Sequence, residues 1–148
     1  MAVRIQDLRE PVGERDIEGV EAVLGHALPE PYRMFLLAHN GGCPDPCAFT
    51  LLDPLAGTRM IGRVNELYEL DELPRMMGLY RGRIPPDLLP IGDDTDGNQI
   101  LLRVRGAGLG RIYLWNYRHE HSPPTHGNVA LLADRFDLLL GRLFDDLR

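Results

Sequence analysis

Three histidines, His119, His121 and His126, fall within one short stretch, with Glu120 between the first two. Imidazole and carboxylate are zinc ligands, so a metal-dependent hydrolase is the first chemistry this stretch suggests. The spacing opposes it. The helical HExxH arrangement is absent, and Ser122-Pro123-Pro124 dictates a loop rather than a rigid element that pre-aims ligands. Asp93-Asp94-Thr95-Asp96-Gly97-Asn98 resembles a calcium loop only in composition. With Gly97 at the invariant sixth position, Gly92 falls at position one and Arg103 at position twelve, where carboxylates are required. A tight Asp-Gly turn explains the stretch with fewer assumptions. Cys43 and Cys47 are separated by three residues, not the two of a redox CxxC, and no second pair completes a structural zinc site.

Nucleophilic chemistry has little to work with. Ser122 is the only serine, and no glycine-flanked elbow surrounds it. Lysine is absent altogether, which excludes both a Schiff-base lysine and a P-loop lysine. Gly106-Ala107-Gly108-Leu109-Gly110 precedes a strand, so it has no helix amino terminus behind it to hold a phosphate. No nucleophile, base and orienting group occur together. The expectation is a protein that is not an enzyme and carries no cofactor or metal.

What remains is binding surface. Arg103, Arg105, Arg111, Tyr113, Trp115 and Tyr117 alternate along two strands so as to share one sheet face. Arginine and aromatic residues dominate interface hot spots, although such a face also serves to pack beneath a covering element. A second group is acidic: Glu66, Glu69, Asp71 and Glu72, together with Asp93, Asp94 and Asp96 in the turn. It is either a solvated face or a surface that steers a basic partner. Of the first group, Arg103, Arg105 and Tyr113 are taken as candidate partner-binding residues, with all seven acids.

Two amino-terminal helices are expected to lead the domain. Ile17, Val20, Leu24 and Leu28 set a helical stripe over 14–28, broken by Pro29 and Pro31. Tyr32, Phe35, Leu36 and His39 then form the inward face of a second helix that Asn40-Gly41-Gly42 terminates. CAFTLLDPL reads as a strand ending at Asp53-Pro54. Leu67, Leu70 and Leu73 suggest a helix from Val64 to Met77 that Pro74 interrupts. Leu88, Leu89 and Ile91 read as core. The hairpin from Ile91 to Arg118 is the clearest local signal, turning at Asp96-Gly97 and again at the glycine-rich reversal. A polar loop spans His119 to Gly127. The closing helix is predicted to be capped by Asp134 and to bury Phe136, Leu139, Leu140, Leu143 and Leu147. Helices at both ends of antiparallel hairpins give an α+β fold.

The chain of 148 residues is long enough for one domain, 1–148, with its own core. Its 16 basic and 22 acidic residues leave a net charge of −6, which argues against non-specific binding to nucleic acid or to an anionic membrane. The charge is uneven. Residues 1–72 hold 13 acids and 6 arginines, a net of −7, whereas residues 73–148 hold 9 acids and 10 arginines, a net of +1. MAVRIQDLREPVGERD has no apolar run of the secretory type, and two neighbouring cysteines do not make a disulfide scaffold. A cytoplasmic location is expected.

Several motifs resemble one family. Leu28-Pro29, Tyr32, Phe35-Leu36 and Asn40-Gly41-Gly42 are similar to the LPxxYxxFLxxxNGG motif of the SUKH superfamily. Leu89-Pro90-Ile91-Gly92, Asp94 and Gly97 resemble its LPIGxDxxGN element. Gly110, Ile112, Tyr113 and Trp115 resemble its next strand, and Leu132-Ala133-Asp134, Phe136 and Leu143 its closing helix. Arg135 stands where serine is usual, and Leu139 or Leu140 where phenylalanine is. The likeness covers 14–144. It implies an antiparallel sheet with helices packed on it, with Asn40-Gly41-Gly42, Gly97 and Trp115 in structural roles. Bacterial members act as immunity proteins that bind and block a cognate toxin, and fungal relatives as interaction modules in cell-wall regulation. The partner implied is thus a protein toxin, a basic nuclease among the classes that charge favours. The chain itself is expected to be a monomer or weak homodimer. A general regulatory module is the alternative, and a hydrolase built on the histidine loop a third.

Overall fold

In a computed structural model describing residues 3–7, 9–53 and 56–146, the chain begins with a short strand, β1 (Arg4–Gln6). Helix α1 (Glu14–Leu24) follows, its first turn closed by Asp16, whose carboxylate accepts from the Gly13 amide at 2.8 Å. It ends one turn sooner than its apolar stripe suggests. Gly25 takes the left-handed conformation, and Leu28 is buried beyond the helix, its amide donating to Glu21 at 2.6 Å. Helix α2 (Glu30–His39) opens at Pro29 with Pro31 in its first turn, where a missing N–H costs nothing. Tyr32, Phe35 and Leu36 are buried, but His39 is exposed, its ring tilted against Phe35 with centroids 5.6 Å apart, contrary to the inward position expected.

Asn40-Gly41-Gly42 does more than end this helix. Asn40 adopts φ of 52°, its side-chain amide donates to the Glu10 carbonyl at 2.7 Å, and its carbonyl accepts from the Leu70 amide at 2.8 Å. A Cβ on Gly41 would lie 2.7 Å from the carbonyl oxygens of Leu67 and Tyr68, so only glycine fits.

Strand β2 (Cys43–Asp45) pairs with β1, and β3 (Ala48–Leu52) begins the main sheet. The structure departs from expectation next. Residues 64–77 are not one helix: β4 (Arg59–Leu67) is a long strand, followed by a 3-10 turn (Leu70–Glu72) and helix α3 (Leu73–Leu79). Leu67, Leu70 and Leu73 are all buried, but the first contributes from a strand paired on both sides. Pro74 starts α3 instead of cutting a longer helix. Strands β5 (Leu88–Asp94), β6 (Gln99–Arg103) and β7 (Ile112–Trp115) form the expected antiparallel meander. A second 3-10 turn (Tyr117–His119) begins the polar loop.

Strand β8 (Val129–Ala133) was not anticipated. It leads into α4 (Phe136–Arg142), seven residues long, whose amino-terminal cap position is Arg135, not Asp134. Asp134 instead faces Arg111 across 3.4 Å, and Arg135 pairs with Asp137. Phe136, Leu139 and Leu143 are buried and Leu140 half-buried. Leu147, expected in the same stripe, and Pro54, expected at the end of β3, lie outside the described residues.

The main sheet runs in the order β3-β4-β5-β6-β7-β8, antiparallel throughout, and it curls so that β3 and β8 approach each other. Ala48 of β3 also exchanges two backbone hydrogen bonds with Phe144. All four helices contribute to one large core on the face presented by Ile100, Leu102, Ile112 and Leu114. Leu101 and Trp115 point the other way, into a smaller cluster with Ile84 and Leu88. The fold is α+β.

Candidate functional site

The acidic residues divide by what they already hold. Arg9 reaches from the amino-terminal segment to Glu66 and Glu69, each at 3.0 Å, and to Asp7 at 3.1 Å. Partial burial opposes its charge, but the hydrogen bonds it donates to Glu66 and Glu69 and the nearby Asp7 carboxylate outweigh this and push its pKa up, so Arg9 is a fixed cation that ties the segment after β1 to β4. The Glu72 carboxylate accepts from the Glu69 amide at 3.2 Å and closes the 3-10 turn. Asp71 is exposed.

Asp93 and Asp94 are neighbours with different partners. The Asp93 carboxylate accepts from the Asn65 side chain at 3.1 Å and the Glu66 amide at 3.3 Å. Burial nevertheless raises its pKa above the ordinary aspartate value, since these two hydrogen bonds only partly compensate for lost water. Asp94 is 4% exposed and accepts from the amides of Asp96 and Asn98 and from the Asn98 side chain, at 3.0, 2.8 and 2.9 Å. It locks the β5–β6 turn. Asp96 is exposed at the tip.

The arginine and aromatic residues of β6 and β7 meet on the second face of the sheet. Trp115 is 1% exposed, and Tyr80 packs on it edge-on with ring centroids 5.6 Å apart. Arg83 lies over both rings, 4.9 Å from Tyr80 and 5.7 Å from Trp115, and donates two hydrogen bonds to Glu120, at 3.0 and 3.1 Å. That pairing holds the Glu120 carboxyl below the ordinary glutamate range. Arg103 sits 5.6 Å from the Tyr113 ring and 2.8 Å from Asp87, and Asp87 also lies 3.3 Å from His126. The polar loop is therefore pinned twice to the segment that precedes β5, through Glu120 to Arg83 and through His126 to Asp87. Leu131 on β8, beside Tyr113 in register, remains 47% exposed.

A family model for the SMI1 / KNR4 family (SUKH-1) matches residues 11–142. The chain belongs to this family. A search of curated proteins found no match. The SUKH-type motifs named from the sequence fall on structural positions: Asn40 and Gly41 at the end of α2, Asp94 and Gly97 in the β5–β6 turn, Trp115 beneath Tyr80. Asp134 and Phe136 bracket the start of α4.

The histidines do not assemble. His119 and His121 are exposed while His126 turns to Asp87, and among the described residues no three His, Cys, Asp or Glu side chains converge to hold a metal. Burial raises the thiol pKa of both Cys43 and Cys47, which keeps them protonated and weakly nucleophilic near neutral pH.

Sequence reasoning missed the segment that completes this face. Tyr80, Arg83 and Asp87 lie in irregular chain between α3 and β5, where no periodicity marks a role. The Ile84-Pro85-Pro86 triplet was the available signal. The same segment walls a cavity of about 480 Å³ against the carboxyl-terminal end of α1, floored by Leu24, Met77, Tyr80 and Ile84. Arg105, past the end of β6, lies at this cavity rather than beside Arg103 on the sheet. No described helix is long and apolar enough to cross a membrane.

Proposed function

We propose that the chain is a non-catalytic binding protein of the immunity type, which neutralises a cognate protein toxin by covering it. Membership of the SMI1 / KNR4 (SUKH-1) family over residues 11–142 carries this reading. The fate of the polar groups supports it. Asp94 spends its carboxylate on a turn, Asp87 on Arg103 and His126, and Glu120 on Arg83, so these three carboxylates already serve structural pairs. A carboxylate held ionised beside an arginine is a weak general base, because the neighbouring cation opposes its protonation.

The finer reading is a basic toxin, a nuclease being one such class. Asp71 is an exposed part of the −7 carried by residues 1–72, and with exposed Asp96 in the second half it would speed encounter with a positive partner. The test is co-expression of the chain with each toxin candidate encoded beside its gene. Restored growth and a 1:1 complex on gel filtration are expected. Protection from none of them would overturn the reading, and a stable complex with a non-toxic neighbour would move the chain to the regulatory-module alternative.

A further inference from the structure

The cavity beside α1 and α3 has a sign opposite to that of the whole molecule. The chain carries 22 acids among 148 residues, yet no aspartate or glutamate lines this hollow, whereas His26, Arg81 and Arg105 do. The neighbouring arginines show why this matters. Arg83 is spent on Glu120 and Arg103 on Asp87, but neither Arg81 nor Arg105 has a carboxylate within 4 Å among the described residues, and both are exposed. Two unneutralised guanidinium groups at one mouth call for an anion.

The walls specify the rest of the occupant. Pro85, Pro86, Pro90 and Pro124 contribute to the lining. Proline rings fix the backbone and offer no N–H, so these walls are rigid and present few groups that need hydrogen bonds. Such a hollow takes an apolar side chain without first having to be ordered. At about 480 Å³ it has room for one or two large side chains.

We infer that this cavity receives an extended segment of the protein partner in which a large apolar residue is flanked by aspartate or glutamate. The segment inserts the apolar side chain between Tyr80 and the prolines while its carboxylate meets Arg81 and Arg105. This rests on the reading of the chain as a toxin-binding protein and adds to it which chemistry the toxin presents. Long-range attraction by the acidic half and anchoring at a cationic mouth act at different distances, because exposed charges are screened beyond roughly 8 Å at physiological salt. They require different parts of the partner.

The test uses the full chain and its Arg81→Glu/Arg105→Glu double variant, with Trp115 emission and thermal melting to confirm folding. Fluorescent decapeptides carrying Phe or Leu between aspartates serve as probes, against versions with lysine for aspartate or serine for the apolar residue. The acidic apolar peptides should bind, shift the NMR signals of Tyr80, Ile84 and Val104, and lose about tenfold or more in affinity in the double variant. Equal binding of the lysine peptides, shifts elsewhere, or shifts from decanoate but from no peptide would overturn the inference. Toxin neutralisation separates the two claims. If the double variant protects cells as well as the unaltered chain, the docking site is wrong and the function stands; if neither protects, the function reading itself fails.

Discussion

The two faces of the six-stranded sheet are built on different principles. On one, four helices bury Ile100, Leu102, Ile112 and Leu114 in a continuous apolar core. On the other, Leu101 and Trp115 meet only Ile84, Leu88 and a layer of half-buried side chains, and the cover is irregular chain held by Arg83–Glu120 and by Asp87 with Arg103 and His126. The first face is held chiefly by area removed from water. The second is held by aromatic stacking and partly exposed ion pairs, which contribute little stability each and leave arginines within reach of solvent. Stability is concentrated on one side, and solvent-accessible charged and aromatic groups on the other.

The sharpest way to break this comparison is to cut the first face. Phe136 packs against Tyr32 and Phe35 with ring centroids 5.2 and 4.8 Å away, and Phe136→Ala is expected to cost about 3–5 kcal/mol in denaturant unfolding. A loss under about 1 kcal/mol would mean that the helical layer does not carry the fold. The turn between β5 and β6 comes next. Asp94→Ala strands the buried amide and side chain of Asn98 and should cost about 2 kcal/mol, with Asp94→Asn costing less because one acceptor oxygen survives.

On the second face the effects shrink. Arg83→Ala should change unfolding free energy by no more than about 1 kcal/mol, yet alter Trp115 emission and return the Glu120 carboxyl to a higher titration midpoint by NMR. A large stability loss there would erase the distinction between the faces. The smallest effect is a pH dependence. Burial raises the folded-state pKa of Asp93, so its contribution is fully present below the ordinary aspartate pKa and is lost as pH rises through the raised value. Asp93→Asn should flatten the part of the stability curve that lies above the ordinary aspartate pKa, as read by denaturant melts.

Local rules carried much of the fold. The Asp96-Gly97 turn, the alternation from Gln99 to Tyr117 and the stop at Asn40-Gly41-Gly42 are written in a few adjacent residues, because each depends on which backbone angles and faces those residues accept. The stretch from Val64 to Met77 was misleading for the opposite reason. Leucines spaced by three fit a helix, and what made β4 a strand was hydrogen bonding to β3 and β5 on either side. Leu132-Ala133 similarly ran into the helix signal at Phe136, while pairing with β7 made it a strand.

Charge was the least local property. That Glu66 and Glu69 would be held by Arg9, nearly sixty residues earlier, or that Arg105 would part from Arg103 to line a cavity, depends on chain segments meeting in space. The amino-acid order alone determined the class of fold, the meander and the groups available for chemistry, since turns and periodicity act over a few residues. Packing alone decided which of those groups are consumed and which remain free, since a carboxylate is neutralised by whatever cation the folded chain brings within about 4 Å.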